Sequence, residues 1–370
     1  MPCRKYWRIV WLLLLTGAVG FLNGPAFANR FANRIMNVRG QVQLQSQGSS
    51  GFRTARRGMS LNWGDRLRTG DKAWVEVQCS DMRTIWRLGA EGSVLVSSRC
   101  TDPPSSLRAV RTPGGINPDI PYVISPRNTW LVDDQFTIRW SPALDASRYT
   151  VRLYRWSDQR DMRERLLWET SASETQVEYT GAFPLEEGRY YSIEVIADTG
   201  ASSNADEGAA KSGFELLFPE DREVLQADLI ALNPDLSEEG FALSLAGLYL
   251  REDVLAEAIA VLEPFVEAGT DNLLIYQTLG DLYSYAGLNA LSLQHYDQAQ
   301  SLAIAHHDSV GEALAKLGLA EVNLTLGNRR QALRLFMQAK AVYENLGDDR
   351  QVAVIQGRIN FLESVNRRGD

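Results

Sequence analysis

Histidine and cysteine are scarce in this chain, three of each in 370 residues. The histidines are His295, His306 and His307, and the adjacent pair would point about 100° apart on a helix, which does not suit one metal ion. No His-Glu-x-x-His, Gly-x-Ser-x-Gly elbow or phosphate-cradling glycine loop occurs. The common hydrolase, metalloprotease and nucleotide sites are thereby excluded; the expectation is no enzyme, no cofactor and no metal. Long apolar runs are equally scarce: one, Ile9 to Leu22, and none after it. A net charge of −8 argues against nucleic acid as partner.

The single apolar run follows Arg4, Lys5 and Arg8 and precedes Ala26-Phe27-Ala28. It is 14 residues long and contains Thr16, Gly17 and Gly20, whereas a spanning helix needs roughly 20 apolar residues. Residues 1–28 are read as a signal peptide cleaved after Ala28, with a periplasmic or extracellular product and no transmembrane segment after cleavage. Cys3 leaves with it. Cys79 and Cys100 remain, each ending a strand-like run, and without CxxC spacing they read as a structural disulfide of an oxidising compartment.

What is present is an ordinary folded composition, 45% apolar and 23% charged, at a length suited to two or three domains. Charge is uneven. Residues 29–120 carry 14 Arg or Lys against 7 Asp or Glu, 121–218 carry 10 against 16, and 219–370 carry 11 against 23. The basic front region suits an anionic envelope polymer; alternatively Arg53, Arg56 and Arg57 only solvate a loop.

Residues 35–100 alternate in short runs broken by glycines: "GQVQLQ", "AWVEVQC", "TIWRL", "SVLVSS". The words Gly40-x-Val42 and "GMSLNWGDRLRTGD", with Gly58, Leu61, Gly64, Asp65, Leu67, Thr69 and Gly70, resemble the FecR-type β domain of bacterial envelopes. The membrane span and cytoplasmic tail of that family's iron-signal relays are not expected, so the resemblance implies a shape alone. Residues 101–120, with four prolines and two adjacent glycines, read as a semi-extended linker without a core. From 121 to 218, "FTIRWSP", "RYTVRLY", "RLLWET" and "YYSIEVIAD" supply strands. Trp140-Ser141-Pro142 and the order Leu185…Tyr191-x-Ile193-x-Val195-x-Ala197 resemble a fibronectin type III sandwich with its tyrosine corner. Trp140 is then core; Trp156 and Trp168 form either a sugar-stacking platform or ordinary packing. The "ASSNADEGAAKSG" stretch reads as a passive loop rather than a binding one.

Residues 219–370 are organised by a pattern that returns three times. Leu245, Ala246 and Tyr249 are followed by Ala258, Leu262 and Phe265; Leu279, Gly280 and Tyr283 by Ser292, Tyr296 and Ala299; Leu319, Ala320 and Asn323 by Ala332, Phe336 and Ala339. The first spacing is 34 residues and the second 40. Small residues where paired helices touch, aromatic rings in the grooves and Gly287 and Gly327 at the turns resemble the tetratricopeptide repeat (TPR). The extra residues around "AIAHHD" read as longer helices flanking a junction. The resemblance implies a superhelix whose concave face is lined by first helices: Leu243, Gly247, Leu250 and Arg251, then Gln277, Asp281, Ser284 and Tyr285, then Leu317, Glu321 and Leu324. These are not the Lys and Asn of a carboxylate clamp; the mixture suits an amphipathic helix or a basic extended segment. Tyr285 either anchors the partner or covers the next repeat.

The fold expected is therefore multidomain: an N-terminal all-β domain, a β-sandwich and a C-terminal all-α solenoid. The layout resembles exported bacterial TPR proteins of cyanobacterial type. Two functions follow from it. One is a non-catalytic envelope scaffold that binds a protein partner in the superhelix. The other is a cell-wall or polysaccharide binder that uses the basic front domain.

Overall fold

The computed structural model describes residues 33–57, 59–62, 64–79, 84–100, 114–156, 165–206 and 213–366. The expected signal peptide, Gly58, residues 101–113 of the expected linker, residues 157–164, and residues 207–212 of the expected long loop lie outside the described residues.

Alternation builds the first module. Strands β1 (Asn33–Arg39), β4 (Ser60–Leu61), β6 (Trp74–Gln78) and β7 (Ile85–Leu88) form one sheet in the order β4-β1-β6-β7. Strands β2 (Val42–Gln45), β3 (Arg53–Thr54), β5 (Arg66–Thr69) and β8 (Ser93–Leu95) form the second, β3-β2-β5-β8. Ile35, Leu44, Leu67, Val75 and Val77 fill the space between them. Asp65 explains why the turn word takes an acid: it is buried, and its two oxygens accept from the Gln47 and Asn62 backbone N–H groups, both at 2.9 Å. Cys79 and Cys100 are bonded, as their spacing suggested, with 5.3 Å between Cα atoms.

The second module packs a five-stranded sheet on a three-stranded one. Its strands are β9 (Val123–Ser125), β10 (Thr129–Leu131), β11 (Phe136–Trp140), β12 (Tyr149–Arg155), β13 (Arg165–Ala172), β14 (Gln176–Tyr179), β15 (Tyr191–Ala197) and β16 (Phe214–Leu216). The sheet orders are β10-β16-β15-β12-β13 and β14-β11-β9. Trp140 is core, edge-on to Tyr149, and the Tyr191 hydroxyl accepts from the Glu186 backbone N–H at 2.8 Å. Trp156 packs on Tyr190 and Trp168 on Tyr179, so the two indoles are separate packing contacts rather than one platform.

Nine α-helices follow among the described residues: α1 (Pro219–Ile230), α2 (Glu238–Arg251), α3 (Leu255–Ala260), α4 (Glu263–Glu267), α5 (Leu273–Tyr285), α6 (Asn289–Ala305), α7 (Ser309–Thr325), α8 (Arg329–Leu346) and α9 (Asp349–Asn366). From α5 to α9 each helix packs on the next. Small residues govern the approach. A Cβ on Gly280 would stand 2.8 Å from the Tyr296 ring and one on Gly318 2.3 Å from it, so one ring fills the space both glycines leave. Gly287 and Gly327 end α5 and α7 at positive φ. The second helix of the first copy departs from expectation. It is broken into α3 and α4, because Pro264 has no N–H to continue the ladder. Helices α1 and α9 carry no repeat word and extend the array at its two ends. Among the described residues no helix is long and apolar enough to cross a membrane.

The modules are not beads on a linker. Met36 and Ile85 of the first module share a core with Ile120, Tyr122, Leu243 and Leu274. Glu76, fully buried, accepts from Arg87 and from both the backbone N–H and the hydroxyl of Ser237, the residue that caps α2. Residues 114–120, expected to be a coreless linker, lie against the α5–α6 turn. Ala290 donates to the Gly115 carbonyl at 3.1 Å and Asn289 to the Gly114 carbonyl at 2.7 Å. A Cβ on Gly115 would meet the Gly287 carbonyl at 2.7 Å, so the glycine pair is there for close approach.

Candidate functional site

The docked modules take up much of the face the repeat register assigned to a partner. Leu243 and Leu250 are in the shared core, and Gly247 and Ser284 are buried. Arg251, expected to be free surface, is held by Asp228 at 2.6 Å and Glu252 at 2.7 Å. The Tyr285 hydroxyl donates to Asp253 at 3.1 Å, and burial pushes it up to about 12. Its ring is partly buried against the apolar core.

Gln277, Asp281, Leu317 and Glu321 do come together. They line a cavity of about 50 Å³ between α5, α7, α8 and α9. Its walls include Leu314, Phe336, Val354 and Ile355, and Arg34 of β1 reaches it from the first module. The repeat explains the placement of the first four, since residues four apart on α5 and on α7 share a face. Gln277 is 2% exposed; its side-chain N–H donates to the Gly311 carbonyl at 3.0 Å, and its Oε1 has no hydrogen-bond partner among the described residues. Asp281 accepts from the Tyr296 hydroxyl at 2.5 Å. Buried Glu321 accepts both arms of Arg358, at 2.9 and 2.5 Å.

Chemically, this is an apolar cavity with one unsatisfied acceptor and a charge-balanced rim. An amide or hydroxyl donor entering it would satisfy Gln277, whose orphaned oxygen otherwise costs on the order of 1–3 kcal/mol. The volume suits one small side chain rather than a cofactor. Sequence reasoning missed Arg34, Gln351 and Arg358, which come from a strand and from a helix outside the repeat words; no motif or period marks them.

The histidines have structural settings. His295 stacks on Tyr283 at 5.2 Å between ring centres, and burial lowers its basicity. His306 faces Arg57 at 3.4 Å. Among the described residues no group of three His, Cys, Asp or Glu is arranged to hold a metal ion.

Of the front-domain arginines, Arg57 donates to the Asp271 backbone carbonyl at 3.1 Å. Arg56 and Arg57 also favour the ionised form of Asp308, and Arg53 that of the buried Asp65 within its own module.

No protein-family model matches the chain, and no curated protein matches it. Among solved structures, the chicken CNTN1 FN1-FN3 domains are similar at 13% identity over 45% of this chain and half of that chain, with a TM-score of 0.16.

Proposed function

We propose that the chain is a non-catalytic scaffold of the cell envelope, exported by its N-terminal segment, whose helical array is a TPR-type superhelix that holds a protein partner. In this reading the FecR-like module and the fibronectin III-like sandwich are not free arms. They are docked on the array, stiffen it and narrow its inner face to one opening. The observation that carries the reading is the convergence of Gln277, Asp281, Leu317 and Glu321 on one apolar-walled cavity with an orphaned acceptor. A partner helix or strand that inserts one apolar side chain and offers one N–H to Gln277 Oε1 fits that chemistry.

The alternative is an anionic wall polymer bound by the front domain, where Arg57 also donates to the Asp271 backbone carbonyl. Pull-down from envelope extract with the wild type and with Leu317→Arg separates the two. A protein retained by the wild type and lost from the variant supports the scaffold. Retention of both on insoluble wall material supports the polymer and ends the scaffold reading.

A further inference from the structure

The seam between the sandwich and helices α3–α4 is closed where Ala256 donates to the Thr129 hydroxyl and open beside it. Strands β11 and β14 on one side and the two short helices on the other enclose a cleft of about 410 Å³. Four carboxylates line it, Glu178, Glu257, Glu263 and Glu267, against one guanidinium, Arg139. That cation is spent: Arg139 is 2.7 Å from Glu263, which also accepts from the Tyr283 hydroxyl at 2.6 Å. Glu178 accepts from the Thr137 hydroxyl at 2.6 Å, and Glu267 is exposed.

Glu257 is the anomaly. Its carboxyl is served by its own backbone and that of Val132, but Oε2 is closed off from solvent and has no hydrogen-bond partner among the described residues. A desolvated carboxyl with an unused acceptor is expensive unless something donates to it. Burial, with repulsion from Asp133, pushes this carboxyl up to about 7. The groups around it on every packed element are Asp133, Tyr249, Arg139, Glu178, Glu263 and Glu267. All but Arg139 are acidic or neutral.

We propose that this cleft receives a lysine or arginine side chain presented by an extended segment of a protein partner. The charge is complementary, and the missing donor is what an ammonium or guanidinium supplies. Ion chemistry is ruled against by the spacing of the acids, since no three of them among the described residues can hold a metal ion. A chain segment is favoured over a free polyamine by strand β14. It is the outermost strand of its sheet, it pairs with β11 alone among the described residues, and its Gln176 and Glu178 line the cleft. A segment running beside β14 would gain backbone partners while its basic side chain enters the cleft. The proposal rests on the scaffold reading only for the partner being a protein.

The test is calorimetric titration of the exported chain with a short oligolysine peptide. The expected result is saturable binding that Glu178→Gln with Glu267→Gln weakens about fivefold or more. The same charge change at exposed Asp221→Asn with Glu223→Gln on α1 should stay within about twofold. A cation beside Glu257 favours its ionised form, so binding near neutral pH should release a proton, seen as dependence of the heat on buffer, and Glu257→Gln should abolish that release. Absence of saturable binding, equal weakening by the α1 pair, no proton release, or spermidine or calcium binding as tightly and competing with the peptide would each overturn the proposal. Leu317→Arg, in the inner cavity, should leave oligolysine binding unchanged. A wild type that retains its partner in the pull-down yet ignores oligolysine would sink the cleft alone.

Discussion

Two seams join β modules to the helical array, and they are built from similar polar parts. At the first, Glu76 is locked between Arg87 and the cap of α2, and Arg57 reaches the Asp271 carbonyl. At the second, buried Arg127 pairs with Asp206 at 3.4 Å and donates to the Ala286 carbonyl at 2.7 Å, while the Thr129 hydroxyl accepts from Ala256 N–H. The difference is what lies between the polar contacts. Met36 and Ile85 fill the first seam with apolar surface. The second is apolar in part, where Trp130, Val132 and Leu217 pack with Leu225, Leu248 and Val254, while acids line an open cleft beside that contact. Closure follows apolar side chains, because only they gain from leaving water on both partners.

The largest effect should come from breaking the array on which both seams rest. Gly280→Leu drives a side chain into the Tyr296 ring, which already stands 2.8 Å from where a Cβ would be. It should cost about 3 kcal/mol or more, read as a loss of denaturation midpoint at unchanged slope. If Gly280→Leu melts like the wild type, the α5–α6 packing is misassigned.

Loosening the first module alone is the next step. Cys79→Ser with Cys100→Ser removes a link closing a 21-residue interval, which should cost about 3 kcal/mol through the unfolded chain. Intact mass with and without reductant and alkylating agent checks the bond directly. Two thiols that alkylate without reduction would contradict it.

Stability against pH sharpens the contrast at the second seam. The Glu257 carboxyl sits at about 7 in the folded chain against an ordinary 4.5, so the folded state holds the proton more tightly than the unfolded one. Its contribution is full below 4.5, falls as pH rises to about 7, and is constant above. Glu257→Gln should therefore gain on the order of 2 kcal/mol relative to wild type between pH 5 and pH 8. A difference that does not change with pH would mean the carboxyl is ionised throughout.

The smallest effect belongs to the first seam's charge. Glu76→Gln keeps the shape but weakens the bonds to Arg87 and Ser237, and should cost about 1–2 kcal/mol, measured by urea unfolding. A larger loss from Glu76→Gln than from Gly280→Leu would reverse the ranking of apolar over polar closure.

Much of each module could be read from local words. Gly280, Ser292 and Tyr296 recur at repeat spacing because helix pairs need small residues opposite rings, and the Ser292 hydroxyl indeed meets the Gly280 carbonyl at 2.7 Å. Asp65 stood out because the turn it closes lies within the same strand word. The seams left no such mark. Glu76 and Ser237 are 161 residues apart, and neither position has a period or motif. Charge asymmetry does not mark them either, because a net count has a sign and no direction: it could not foretell that Arg57 reaches the Asp271 backbone carbonyl. The cavity was half legible for the same reason: α5 and α7 carry repeat words, whereas Arg34 and Arg358 come from elements without one.

The central claim is that both β modules are docked on the array rather than strung before it. Small-angle X-ray scattering of the full chain, in low and in high salt, is the decisive measurement. The expected result is a single-peaked distance distribution that matches the docked arrangement and does not change with salt, because apolar side chains and hydrogen bonds hold the first seam. A distribution with separate intra-module and inter-module peaks, or one that lengthens as salt is added, would contradict it.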